Sequence, residues 1–216
     1  MTFRASLLIT VTALVTLAPV LFFNPTLEGQ AALLNPAGLT EVAPPAFNVK
    51  FDTSAGEFMV EVHRDWAPIG TDRFYNLVKN GYYDGQRFFR VTETMAVFGI
   101  HGDPTISKAW LRARIPDDKP GVQSNKKGTI AFLQANGRRT QTLINLTDNP
   151  VMDEQSTPFG RVASGMNVVS RLYAGYGEAA PNGNGPVMTP MMEQGTPYLE
   201  KEFPKLDYIK TARMVP

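Results

Sequence analysis

Arg90 is the residue whose chemistry most needs a reason. It stands in Arg87-Phe88-Phe89-Arg90-Val91, an aromatic and β-branched run that reads as a strand. A break at Thr92 to Thr94 separates it from a second such run, Met95 to Ile100. A guanidinium in a half-buried strand is costly unless it is paired or faces a cleft. Arg90 is therefore either a snorkelling strand residue or a donor aimed into a groove. The other candidates are few. With no cysteine and two histidines, thiol nucleophiles, disulfides and cysteine–metal sites are excluded. His63 falls on the polar phase of a strand and reads as solvated. Asp117-Asp118, between Pro116 and Pro120, has the residue types for acid/base work or cation binding. Without partners in a Pro-flanked loop, the pair reads as a solvated turn. A barrel enzyme working through Asp117, Asp118 or His101 requires those groups to converge in one cleft. Asn182-Gly183-Asn184-Gly185 has no strand-to-helix context and is not a phosphate loop.

The elements that must position Arg90 are mostly short strands. Phe47, Val49 and Phe51 alternate with polar residues, as do Phe58, Val60 and Val62, and Ser54-Ala55-Gly56 joins them as a hairpin. Thr71 and Asp72 open a helix with an apolar face of Phe74, Leu77 and Val78, stopped at Gly81. Asp103 to Asn125 reads as a long polar loop. Gly128 to Leu133, Gln141 to Leu146 and Thr157 to Val162 read as strands, with a turn at Asn136-Gly137-Arg138-Arg139. Met166, Val169, Leu172 and Tyr173 form a second helical stripe. Tyr176 to Gly195 reads as an irregular surface excursion, and Leu206 to Met214 as the closing strand. Many short antiparallel strands with two helices give an all-β or α+β barrel.

The chain has 216 residues, 43% of them hydrophobic, which gives one globular domain plus an appendage. A net charge of +1 selects for neither nucleic acid nor an acidic membrane. Residues 1–31 read as an export signal, or as a retained membrane anchor. Arg4 precedes the uncharged run Ala5 to Phe23, and small residues at Gly29 and Ala31 suit cleavage near Ala31. Either way the expectation is an extracytoplasmic protein, periplasmic or secreted. Residues 32–45, with Pro36, Pro44 and Pro45, read as an extended linker, leaving 46–216 as the domain.

An apolar strand ending Phe-Phe-Arg, a break, a second apolar strand and then Gly99-Ile100-His101-Gly102-Asp103 resembles the core motif of cyclophilin-type peptidyl-prolyl isomerases. Phe74-Tyr75-Asn76-Leu77-Val78 and Gly81-Tyr82-Tyr83-Asp84-Gly85 precede it in the family order. Gln141 to Asn145, Pro158 to Val162 and Gly165 to Val169 follow it, so the resemblance spans Phe47 to Met214. It implies a closed, eight-stranded antiparallel β-barrel capped by two α-helices. It also implies a monomeric catalyst of Xaa–Pro rotation that assists folding of exported proteins, binds proline-containing polypeptides and uses no metal or other cofactor. By resemblance Arg90 is the donor to the prolyl nitrogen and Gln141 holds the substrate backbone. Met95, Val97, Phe98, Leu133, Gln134, Leu143 and Met152 line the peptide groove and proline pocket.

The chain departs from the family pattern around the pocket. Glu93-Thr94-Met95-Ala96-Val97 stands where the family reads Pro-Gly-Phe-Met and, one residue on, Gln; that second glutamine is absent. The loop between Phe132 and Gln141 is shortened, and Val151 occupies the family's tryptophan position. The departures favour an alternative expectation, a peptide-binding or scaffold domain with weakened turnover. An Arg90 locked in an internal ion pair, or facing bulk water on the far side of the barrel, would remove the isomerase assignment.

Overall fold

The computed structural model describes residues 25–134 and 139–216, with residues 25–28 described by their backbone alone. The apolar run Ala5 to Phe23 and the turn at Asn136-Gly137-Arg138 lie outside them. Among the described residues, no helix is long and apolar enough to cross a membrane.

The chain enters as helix α1 (Pro25–Leu33) and one 3-10 turn (Pro36–Gly38). Residues 32–45 are extended beyond that turn, but they are not the free linker expected. Leu33 is fully buried, and its carbonyl accepts the Trp110 indole N–H at 2.9 Å. Downstream, Glu41 N–H donates to Asn76 Oδ1 at 3.2 Å and Ala43 N–H to Asp72 Oδ1 at 2.9 Å. These three backbone groups find side-chain partners as they leave water.

The alternating residues form the expected hairpin of β1 (Ala46–Thr53) and β2 (Gly56–His63). Its register sets Phe51 opposite Phe58, with ring centroids 4.8 Å apart. Helix α2 (Pro68–Lys79) begins ahead of Thr71, with Pro in its first turn and no side-chain cap of its own. Instead Asp118 reaches across the fold, and its two carboxylate oxygens accept the Ile69 and Gly70 N–H groups, each at 2.8 Å. That corrects the solvated-turn reading of Asp118, which is buried. A carboxylate on exposed N–H groups at the positive end of a helix dipole is stabilising.

Next come β3 (Arg90–Val91), β4 (Met95–Phe98) and α3 (Pro104–Trp110), a helix in the expected polar loop. Then follow β5 (Thr129–Phe132), β6 (Thr142–Asn145), β7 (Pro158–Ser164), α4 (Met166–Val169), α5 (Met188–Gln194), α6 (Thr196–Glu202) and β8 (Ile209–Val215). The described residues thus hold six α-helices, not two. The second helical stripe shrinks to the single turn of α4. The supposed surface excursion, Tyr176 to Gly195, carries α5, and α6 follows it directly; their apolar Met191 and Leu199 are buried.

The eight strands make one antiparallel sheet in the order β3-β4-β6-β5-β7-β2-β1-β8. It curls around a core of Val49, Phe51, Phe74, Tyr83, Phe88, Phe98, Ile130, Phe132 and Phe159. β3 and β8 share no ladder, which departs from a fully closed barrel. Their flanks meet through the Arg87–Tyr208 bridge and the Phe88 N–H to Asp207 O bond of 2.9 Å.

Candidate active site

The register places Arg90 on the outer face of the sheet. Arg90 lies opposite Val97, Val97 opposite Leu143, and Leu143 opposite Ala131. Cross-strand partners project to the same side. Ala96, Phe98, Ile130, Phe132 and Ile144 therefore point into the barrel, while Met95, Val97, Ala131 and Leu143 form a second apolar cluster outside it with Phe89 and Ile100. Phe98 is thus corrected: it does not line a groove but packs inside against Phe51, Tyr83 and Phe88.

Leu133 and Gln141 continue the outer face. Leu133 N–H donates to Gln141 O at 2.8 Å. Both line a cavity of about 190 Å³ with Tyr82, Gly99, Trp110 and Met188. Gly99 (φ 109°) is required there, because a Cβ would collide with the Thr140 carbonyl and crowd the Gln141 Cα at 2.7 Å. Gln134 sits at the end of β5 and donates to Asp117 Oδ2 at 2.6 Å. Met152 packs, partly exposed, against the outer cluster. The neighbouring Val151 is 76% exposed, so it does not supply the wall that an aromatic residue would.

Two features of the face were not legible in the sequence. First, the segment after α4 folds back over it. Met191, Leu199 and Leu206 are buried in one apolar cluster with Val97 and Leu143, and Tyr176, Met192, Tyr198 and Phe203 pack against it. Val97 and Leu143 have no exposed surface, and Met95 has 7%. The spacing of Met188, Met191 and Met192 carries a helical signal, but Pro and Gly on either side obscure it. Second, Glu178 sets its Oε1 2.6 Å from Arg90 Nε. No local sequence pattern marks that contact across the fold. Both side chains keep some solvent access, 24% for Arg90 and 31% for Glu178. The Nε itself is buried and its N–H is not aimed along the contact, so this is charge pairing at one nitrogen and not a bidentate lock.

The acid and imidazole candidates do not converge. Asp117 and Asp118 flank a small cleft with Glu154, Gln155 and Thr157. His101 is buried against the Tyr82 ring, and its Nδ1 accepts the Asp103 N–H at 3.0 Å. Burial holds its pKa below the ordinary value, against the opposing pull of Asp103. His63 stacks on Trp66 and contacts Glu61 at the surface. Among the described residues no group of His, Asp and Glu is arranged to hold a metal.

Residues 48–191 match the family described as cyclophilin type peptidyl-prolyl cis-trans isomerase/CLD. The chain belongs to the cyclophilin-type peptidyl-prolyl cis-trans isomerases. It is 37% identical over 131 residues to the peptidyl-prolyl cis-trans isomerase-like 1 of Rhizopus delemar, covering 57% of this chain and 78% of that one. A peptidyl-prolyl cis-trans isomerase of Acinetobacter baylyi is 27% identical, with 57% and 70% covered. Among solved structures, a cyclophilin-type isomerase of Cryptosporidium parvum superposes with a TM-score of 0.57 at 14% identity, covering 79% of this chain and 98% of that one. A cyclophilin of Hirschia baltica gives 0.54 at 15% identity, with 87% and 79% covered. At those identities the two structures show the cyclophilin fold alone.

Proposed function

We propose that this cyclophilin-type isomerase rotates Xaa–Pro bonds in exported polypeptides, with Arg90 as the donor to the prolyl nitrogen. The rotation breaks no covalent bond. Its barrier, ~18–20 kcal/mol, is the amide resonance lost at the twisted geometry. The nitrogen gains a lone pair only there, so a guanidinium N–H held against it binds the transition state better than either ground state. One charge-assisted bond of this kind is worth about 1.5–3 kcal/mol, or roughly 10–100-fold in rate. The observation that carries the reading is the register, which sets Arg90 in one cross-strand row with Val97 and Leu143 on the outer face. Gln141 stands on the same face and has the residue type to hold a peptide backbone. Leu133 and Met152 supply apolar surface that retains some exposure. The exported location rests on the sequence of residues 1–31.

A second reading, a peptide-binding domain with little turnover, is favoured by the complete burial of Val97 and Leu143. A proline-peptide isomerisation assay with parallel binding measurements separates the two. The catalyst reading expects turnover that Arg90→Ala reduces about 10–100-fold with the fold intact. Binding without rate enhancement would establish the second reading instead.

A further inference from the structure

We infer that Glu178 is a positioning residue for Arg90, supplied by the segment that follows α4. The inference rests on the catalytic role of Arg90 proposed above. The carboxylate meets the guanidinium at Nε, and Glu178 is the charged partner of Arg90 among the described residues. The pairing draws the Nε edge of the guanidinium toward Glu178 by charge, without a hydrogen bond there, and leaves the forked Nη end for a substrate. A carboxylate across that fork would occupy both donors and mask them. Because Nε has no solvent access, the exposure left to Arg90 lies on its stem and fork.

Glu178 is itself held. Its Oε1 also accepts the Ala179 N–H at 3.0 Å, and its backbone carbonyl accepts the Gly185 N–H at 2.8 Å. Ala179 and Gly185 form a bridge that closes the loop between them. A Cβ on Gly183 would collide with the Glu178 carbonyl, and one on Gly185 would come within 2.7 Å of it. The Asn182-Gly183-Asn184-Gly185 run, which has no phosphate-binding context, therefore has a structural use. Its glycines let the loop tighten around the residue that steadies the guanidinium. A donor preset in this way loses less side-chain freedom when the prolyl nitrogen arrives.

The test compares the full chain with its Glu178→Ala, Glu178→Gln, Gly185→Ala and Arg90→Ala variants. Isomerisation is measured with kcat and KM separated, alongside thermal unfolding and the NMR signal of the Arg90 Nε–H. Glu178→Ala is expected to lower kcat about tenfold with KM little changed. Glu178→Gln, which keeps the shape but removes the charge, is expected to lose kcat much as Glu178→Ala does, because the contact is one of charge. Gly185→Ala should lower kcat through the loop that holds Glu178, and the Arg90 Nε–H signal should broaden in Glu178→Ala and Gly185→Ala. A rise in kcat or kcat/KM for Glu178→Ala would show a mask and overturn the inference, as would unchanged kcat with Arg90→Ala inactive. If Arg90→Ala itself retains full activity, the catalytic reading fails and the inference falls with it.

Discussion

His101 shows how one buried side chain ties the stability of this protein to pH. It is neutral in the fold, because Nδ1 accepts the Asp103 N–H and burial disfavours the imidazolium. Its folded pKa lies below the unfolded value of about 6.5. As pH falls through 6.5 the unfolded chain takes up the proton first, so stability declines until the lower folded pKa is passed. Urea unfolding at pH 7.5 and pH 5.5 is expected to give a smaller free energy at the lower pH, and His101→Gln should flatten that difference. An equal slope in the variant would assign the effect to other groups. Arg90 differs in kind. Its type and place in a strand marked it as exceptional, yet whether it was free, masked or steadied depended on a glutamate 88 positions later, by the difference of the numbers 178 and 90.

At the scale of elements, α2 depends on a loop remote in sequence. Its N-terminus has no side-chain cap of its own, and Asp118 provides one from beyond α3. Asp118→Ala is expected to destabilise the fold by about 0.5–2 kcal/mol, the usual range for losing an N-cap, read as a lower denaturation midpoint at unchanged m-value. No change in midpoint would mean that water replaces the carboxylate at no loss. The join between β4 and β6 is equally specific, since Gly99 sits where a side chain would strike Thr140 and Gln141. Gly99→Ala should shift the Gln141 backbone and lower isomerase activity more than it lowers stability. The strands were readable from alternation because period-two burial is a local property of a pleated sheet. The helices α3, α5 and α6 were obscured because each is seven residues long and lies in Pro- or Gly-containing sequence.

Across the whole molecule, the segment from Leu33 to Ala43 is a working part of the fold. Leu33 is buried, its carbonyl serves Trp110, and Glu41 and Ala43 are tied to α2. A chain beginning at residue 41 is expected to lose about 1.5–3 kcal/mol from the Leu33 side chain alone and to show red-shifted tryptophan emission as Trp110 meets water. A chain beginning at residue 32 should keep both properties, and equal stability of the two would refute the docking. By itself the sequence determined the strand set, the hairpin, the cyclophilin-type core around Arg90 and the absence of thiol chemistry. Those features are written in residue type and short-range period, which a single strand expresses without its neighbours. Only the tertiary structure decided that Phe98 faces inward, that Asp118 caps α2, and that the segment after α4 covers Val97 and Leu143 while bringing Glu178 to Arg90. Each of those joins residues far apart in the chain, and such contacts follow from how the curled sheet fills space rather than from any pattern within one segment.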